Sequence, residues 1–305
     1  MKKISHVFEY LLVRLLDAIV SAPPLATAVR WGENLGALAG KIFSGRDRLM
    51  RKNLAIVFPE KSEAEIRAIA DGVWRNLGRV AIEFIRSPEI LPADLAGRVT
   101  VENEQVLKAA QAEGRGVIFV SSHFCNWEYT GIIINRLFGG MSAIARPMRN
   151  PRVERWVQSK RAVGGIPIIL HKDAVRGSLR ILHRKSAIGV LCDQNLYTGG
   201  VFVPFLGRLA ATTTLPALLH ARTDAPVVHA NLLRDGGVGR YRLSFERVVF
   251  PPVANDDERL TADTAAVNRA LEGPIRRHPE LWFWVHNRWK RTPEPAVAAP
   301  AAGAA

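Results

Sequence analysis

The 305-residue sequence contains only two cysteines, Cys125 and Cys192. Two are too few for a disulfide framework or a cysteine-rich zinc site, and a reducing compartment is expected. The G-x-G-x-x-G turn of dinucleotide-binding folds, the Walker loop, the G-x-S-x-G elbow and paired zinc-ligand spacings are all missing. Their absence removes the best-marked nucleotide, serine-hydrolase and zinc chemistries. The N-terminal apolar stretch lacks the roughly 20 uninterrupted residues that a membrane span requires. Glu9, Arg14 and Asp17 break it, and they also break the apolar h-region that a secretory signal behind Lys2 and Lys3 would need. Acidic residues are in deficit, 28 against 42 Lys and Arg, which leaves a net charge of +14. A charge of that size draws nucleic acid, an anionic bilayer face or an acidic protein, without choosing among them.

The same N-terminal stretch carries a helical signature. Ile4, Val7, Phe8, Leu11, Leu12, Leu15, Leu16, Ile19 and Val20 recur at helical spacing and form one broad apolar stripe. Two readings fit it: a helix packed on the protein's own core, or a helix lying in a membrane interface with basic residues near the headgroups. Residues 1–90 read as helical throughout and form a first region, with a basic cluster at Arg46, Arg48, Arg51 and Lys52. Ser62 with Glu65 three residues on predicts a capping box. The helix it opens places Ile66, Ile69, Val73, Trp74 and Leu77 at core spacing.

From Val99 the texture alternates. Residues 117–120, 141–145, 166–170 and 187–192 read as strands, and 104–112, 129–138, 153–162, 175–183 and 213–222 as helices. Residues 226–232 and 241–249 read as paired strands flanking a glycine-rich turn. Strands separated by helices imply βαβ units and a mostly parallel sheet covered on both faces, the α/β class, over residues 91–292. The Ala/Pro-rich tail, 293–305, has little to bury and is expected to be disordered.

The chemically informative stretch is 117–128, in which a buried strand ends at Val120 and is followed by Ser121-Ser122-His123-Phe124-Cys125-Asn126-Trp127-Glu128. His123 thereby falls beyond the carboxyl end of a strand, where open α/β sheets bind ligands. Asn126 is a candidate N-cap, which places Glu128 in the first turn of the next helix. A spacing of five on one continuous helix would set the two side chains about 140° apart. They meet only if His123 lies outside the helix. A carboxylate on one imidazole nitrogen fixes the tautomer and leaves the other nitrogen as a base. An ordinary loop histidine followed by a helix-dipole glutamate fits the bare spacing equally well.

Further segments tip the balance. His123-x4-Glu128 resembles the H-x4-D/E motif of the lysophospholipid acyltransferase-like superfamily, and the glutamate points to its bacterial lipid A late (lauroyl/myristoyl) acyltransferase branch. Arg146-Pro147, Asn150-Pro151 and Trp156-Val157-Gln158 resemble that branch's RP…NP…WLQ region. Asp193-Gln194 with residues 200–207 (GVFVPFLG) resembles its DQ…GVFVPFFG segment, residues 210–214 its AATTT run, and 279–290 its terminal P.QYLW.H.RFK stretch. Asn195-Leu196-Tyr197 departs from the usual Asp-Tyr-Gly, and Arg161 matches the family's arginine only with a shift of one residue.

The resemblance implies an αβα sandwich with a central mostly parallel sheet, preceded by a helical membrane-docking region. It implies a peripheral or N-terminally anchored protein at the cytoplasmic face of the inner membrane. The implied donor is an acyl carrier protein thioester, the acceptor a glucosamine-based lipid A precursor, and no cofactor or metal is required. His123 would take the acceptor's hydroxyl proton and Glu128 would hold the imidazole. Arg146 and Arg161 would bind phosphopantetheine, acceptor phosphates or the oxyanion. Asp193 joins them as a candidate at the same sheet edge. Cys125 is expected to pack rather than act as a nucleophile, Thr212 to Thr214 to cap a helix, and the Trp282, Trp284 and Trp289 group to fill core and interface. A related enzyme acylating a glycerolipid, ornithine lipid or glycolipid would carry the same residues. A nucleic-acid-binding protein would leave His123 and Glu128 unexplained.

Overall fold

In the computed structural model, which describes residues 2–91, 94–95, 97–291 and 293, the chain opens with helices. They are α1 (Lys2–Ser21), α2 (Leu25–Ile42), α3 (Ser44–Val57), α4 (Glu63–Ile85) and the single turn α5 (Ser87–Ile90). The expected capping box starts α4. Glu65 N–H donates to Ser62 Oγ at 3.3 Å, and Ser62 N–H donates back to Glu65 Oε2 at 2.8 Å. Glycines decide how α4 packs. Gly32, Gly36 and Gly40, four apart on α2, present bare backbone to Gly78 and Trp74 of α4. A Cβ on Gly36 would fall 2.1 Å from the Trp74 carbonyl oxygen, and one on Gly78 would fall 2.0 Å from that of Gly32. The two helices therefore cross in backbone contact, closer than side-chain-bearing ridges allow.

The stripe on α1 is mostly unpartnered. Val20 is buried, whereas Leu11, Leu12 and Leu15 are each 58% exposed and Phe8 69%. The residues that interrupt the stripe hold the helix in place. Asp17 accepts from Trp156 Nε1 at 2.8 Å and Lys160 Nζ at 3.1 Å, and Glu9 accepts from Asn150 Nδ2 at 2.9 Å. Burial works against the Asp17 carboxylate, but Trp156 and Lys160 outweigh it and hold its pKa below the usual range. No described helix is long and apolar enough to cross a membrane.

The remaining elements alternate. They run β1 (Val99–Glu102), α6 (Glu104–Ala112), β2 (Val117–Ser121), α7 (Trp127–Phe138), β3 (Met141–Ala145), α8 (Pro151–Arg161), β4 (Ile168–Leu170), α9 (Ala174–His183) and β5 (Ala187–Leu191). Then come β6 (Val201–Phe205), β7 (Arg208–Thr212), α10 (Leu215–Thr223), β8 (Val227–Arg234), β9 (Tyr241–Arg247) and α11 (Asp256–Arg277). Seven strands form one sheet in the order β1-β9-β8-β2-β5-β3-β4. Strands β8, β2, β5, β3 and β4 are parallel, and β9 turns back antiparallel on β8.

Alternation along β2 separates two cores. Ile118 and Val120 join Leu182 of α9, Leu219 of α10 and Leu271 of α11, while Val117 and Phe119 join Leu107 of α6 and Ile132 and Ile133 of α7. Successive side chains point to opposite faces, so helices cover the sheet on both sides.

The bounds of α6 and β3 fall where the sequence predicts them, and the other expected elements shift by a few residues at their ends. The β6–β7 hairpin, β1 and α11 carry no clear expectation. Pro204 interrupts the β6 run, and the hairpin turns at Leu206 and Gly207, both with positive φ, rather than at a recognisable Asn-Gly. The Ala/Pro-rich tail lies outside the described residues, apart from residue 293.

The α2–α4 contact yields a stability prediction. Gly78→Ala should lower stability by about 1–3 kcal/mol through overpacking. Gly45→Ala, on α3 with nothing within 4 Å of its added Cβ, should leave stability level or raise it. Urea midpoints of the two variants check this, and equal midpoints would count against backbone contact.

Candidate active site

Parallel register sets the site. Ser121, Leu191, Ala145 and Leu170 end β2, β5, β3 and β4 at one level of the sheet. His123, Asp193, Arg146 and His171 follow them, so all four residues fall at the same carboxyl edge. The loop after β2 is clamped from the C-terminal segment: Cys125 N–H donates to the Leu281 carbonyl at 2.8 Å, and Phe283 N–H donates to that of His123 at 3.1 Å. Asn126 then caps α7 as expected, its Oδ1 accepting from Tyr129 N–H at 3.3 Å. His123 therefore stands outside the helix.

Its carboxylate partner is Asp193. Asp193 Oδ1 lies 2.8 Å from His123 Nδ1, and Oδ2 accepts from the His123 backbone N–H at 2.8 Å and from Trp282 Nε1 at 2.7 Å. A carboxylate only accepts, so in the neutral imidazole the proton sits on Nδ1 and Nε2 keeps the lone pair. The Gln194 side-chain amide lies 3.3 Å from Nε2, placed to donate to it. Burial disfavours the imidazolium, but the adjacent Asp193 carboxylate outweighs it, Glu128 adds to the effect, and the His123 pKa rises above 6.5. Burial likewise works against ionised Asp193, while His123 and the Trp282 indole hold its carboxyl below the usual range.

Glu128 does occupy the first turn of α7, but its carboxylate goes elsewhere. Arg161, the last residue of α8, grips it with two parallel bonds, Nε to Oε2 at 2.9 Å and Nη2 to Oε1 at 2.7 Å. The expected contact from Glu128 to the imidazole is thus replaced by one from Asp193. The guanidinium fork matches Glu128 in bidentate geometry, and the imidazole turns toward the neighbouring end of β5. Glu128 reaches His123 through its charge alone. The resulting ion pair raises the Arg161 pKa. Arg146 is exposed at the edge beyond β3. Trp127 and Phe283 flank the imidazole with ring centroids 5.3 and 5.9 Å away.

Other expected candidates resolve into supports. Cys125 is buried and its thiol is pushed up by that burial, which suits packing and not nucleophilic attack. Thr214 stands at the N-cap of α10 without a side-chain cap bond, Thr213 Oγ1 accepts from Leu215 N–H at 3.3 Å, and Thr212 lies in β7. Its hydroxyl and the Ala211 carbonyl accept from the buried Arg288, each at 2.6 Å. Burial lowers the Arg288 pKa to about 10, so the guanidinium stays charged at neutral pH. Trp282, Trp284 and Trp289 fill the core. Trp282 has the further task of binding Asp193.

Beneath the loop lies a buried ion network. Glu83 of α4 is wholly buried and accepts from Asn126 Nδ2 at 2.9 Å, Arg79 Nε at 2.8 Å and Arg234 Nη2 at 2.9 Å. Burial opposes this charge, yet Arg234 and Arg79 hold the Glu83 pKa below its ordinary value. An apolar cavity of about 120 Å³ lies between α7 and the sheet, with Ser121 at the end of β2 among its lining residues. Trp127, Glu128 and Arg161 line its polar end, and Phe119, Ile134 and Met141 its apolar depth.

The family model of the bacterial lipid A biosynthesis acyltransferases matches residues 2–291. The chain belongs to this family. A lipid A biosynthesis palmitoleoyltransferase of Escherichia coli (strain K12) is 29% identical over 266 residues, covering 86% of this chain and 84% of the relative. A lipid A biosynthesis lauroyltransferase of the same organism is 26% identical over 278 residues, 89% and 88% of the two chains. A phosphatidylinositol mannoside acyltransferase of Mycolicibacterium smegmatis (strain ATCC 700084 / mc(2)155) is 22% identical over 252 residues, 81% and 80%.

In this family member, Asp193→Asn removes the charge that favours the imidazolium and leaves the burial that opposes it. His123 should then titrate at lower pH than in the wild type, as followed by NMR of the ring nitrogens. The raised wild-type pKa also makes His123 a source of stability that is fully present below about 6.5 and lost as pH rises through the folded value. The variant should lack that decline. An unchanged histidine titration would break the Asp193 assignment.

Proposed function

We propose that this chain transfers a fatty acyl group from an acyl carrier protein thioester to a hydroxyl of a lipid A precursor, with His123 as general base. The observation that carries the reading is the Asp193–His123 pair, in which the carboxylate holds Nδ1 and leaves Nε2 to act as the base, with an apolar cavity lined by the neighbouring Trp127 and Glu128. The acceptor hydroxyl gives its proton to Nε2 as its oxygen attacks the thioester carbonyl. Asp193 stabilises the imidazolium that forms. The tetrahedral intermediate then expels the carrier's thiolate, which takes the proton back from Nε2. Gln194, displaced by the incoming hydroxyl, and Arg146 are donors at the same edge for the oxyanion. The Glu128–Arg161 pair walls the site, and Glu128 adds negative charge toward the imidazolium. The cavity takes the first part of the acyl chain, and no cofactor enters the reaction.

The +14 charge supports an acidic carrier as donor. The exposed stripe on α1 supports attachment at the cytoplasmic face of the inner membrane. The mannoside acyltransferase among the relatives favours one alternative, a related enzyme with another glycolipid as acceptor.

Purified enzyme mixed with acyl carrier thioester and a glucosamine-based lipid A precursor in neutral detergent should yield precursor heavier by one acyl chain, read by mass spectrometry. His123→Ala should slow that transfer by roughly 10²–10⁴-fold while remaining folded. A folded variant with wild-type turnover would remove His123 from the mechanism, and acylation of a different glycolipid alone would select the alternative acceptor.

Chain-length preference offers a separate test. Met141 closes the cavity between Gly131 and Gly189: a Cβ on Gly131 would lie 3.2 Å from its Cε, and one on Gly189 3.4 Å from its Sδ. Met141→Ala should move the preferred donor toward longer chains and Gly131→Leu toward shorter ones. For chains that no longer fit, kcat/KM should fall roughly fourfold per methylene left unburied. Unmoved preferences in both variants would place the acyl chain elsewhere.

A further inference from the structure

A second feature lies on the opposite face of the sheet from this cavity. A groove of about 890 Å³ runs along α9, lined by Lys172, Arg176, Arg180, Arg184 and Arg222 with a single carboxylate, Asp173. All five cations are exposed, and none forms an ion pair among the described residues. The arrangement works against the helix that carries it. Arg176, Arg180 and Arg184 follow one another at i,i+4, where like charges destabilise by about 0.2–0.5 kcal/mol per pair. Arg176 also stands in the first turn, where the helix dipole disfavours a cation. Elsewhere on this chain arginines on helices are commonly neutralised in place, as Arg67 is by Glu63 and Arg75 by Asp71. On α9 the charge is left for something outside.

The groove's position says what that is. Its Lys172–Arg176 end follows β4 and opens at the carboxyl edge that holds His123 and Asp193. β4 lies three strands from β2, through β3 and β5, which at about 4.8 Å per strand is roughly 14 Å. A phosphopantetheine arm spans such a gap, so a carrier lying along α9 can pass its thioester over the edge to His123. Helix α1, which carries the exposed stripe, packs chiefly on α8, α4 and α2, and no α1 residue lines the groove. No phenylalanine, tyrosine or tryptophan lines the groove on which nucleic-acid bases would stack. The cluster at Arg48 and Lys52, in contrast, follows the exposed apolar Ile42 and Phe43 and suits lipid headgroups.

We propose that the α9 groove is the docking surface for the acidic carrier protein that delivers the acyl thioester. The assignment rests on the carrier reading given under Proposed function and adds to it where the carrier sits. The test uses full-length protein, acceptor in neutral detergent, and one acyl chain presented either on carrier protein or on free pantetheine. In the triple variant Arg176→Glu, Arg180→Glu, Arg222→Glu, KM for the carrier donor should rise about tenfold or more. KM and kcat for acyl-pantetheine should stay at wild-type values, showing an intact site. Arg48→Glu with Lys52→Glu should leave carrier KM unchanged. If the triple variant keeps wild-type carrier KM while the wild type still prefers carrier over pantetheine, the groove assignment alone falls. If the wild type shows no such preference, the carrier reading falls and takes the groove with it. A triple variant that loses binding to phosphatidylglycerol vesicles but keeps its carrier KM would make the groove a membrane contact and overturn the proposal.

Discussion

One buried carboxylate organises the candidate site. Asp193 has a net of three donors, the His123 backbone, the His123 ring and the Trp282 indole. It therefore fixes the position of a loop, the tautomer of a base and the course of the C-terminal segment at once. A buried carboxylate is tolerable only when its acceptor sites are filled, and here each donor is something the site needs held. The tautomer follows from the acceptor-only chemistry of the carboxylate, and the direction of the free lone pair follows from the tautomer. Parallel pairing of β2 with β5 makes the contact possible, since it brings two loops 70 residues apart to the same level of one edge.

The pairing also divides labour between two acidic residues. Asp193 is inaccessible and hydrogen-bonded to the ring, whereas Glu128 is partly exposed and engaged by Arg161. One acts by contact and the other by field. Glu128 and Arg161 line the apolar cavity as well, so the ion pair belongs to its wall.

Much of this was legible in the sequence, and the exceptions have physical causes. The strand, loop and cap from 117 to 128 were readable because each depends on neighbours in the chain. Ser62 with Glu65 and the stripe on α1 were readable for the same reason. The partner of His123 was not, because the choice between Glu128 and Asp193 depends on which strand lies beside β2. Spacing along the chain favours Glu128; Asp193 could be placed at the same edge, but only strand order brings it to the ring. Trp282 gave no local sign that its indole would be needed. Arg288 and Thr212 meet across 76 residues, so Thr212 to Thr214 read as a cap when the first of them is a buried acceptor. The α2 glycines were a missed signal: Gly32, Gly36 and Gly40 at intervals of four on one helix mark a close crossing that composition alone could have raised.

The network at Glu83 has a mechanical consequence. Helix α4 receives α2 against Gly78 and, little more than one turn later, carries the Glu83 carboxylate that holds Asn126 at the start of α7. The same short length of helix thus receives the N-terminal layer and fixes the residue that ends the loop carrying His123. The contact of α2 with α4 and the start of α7 are linked through one short piece of helix, to within three residues of His123.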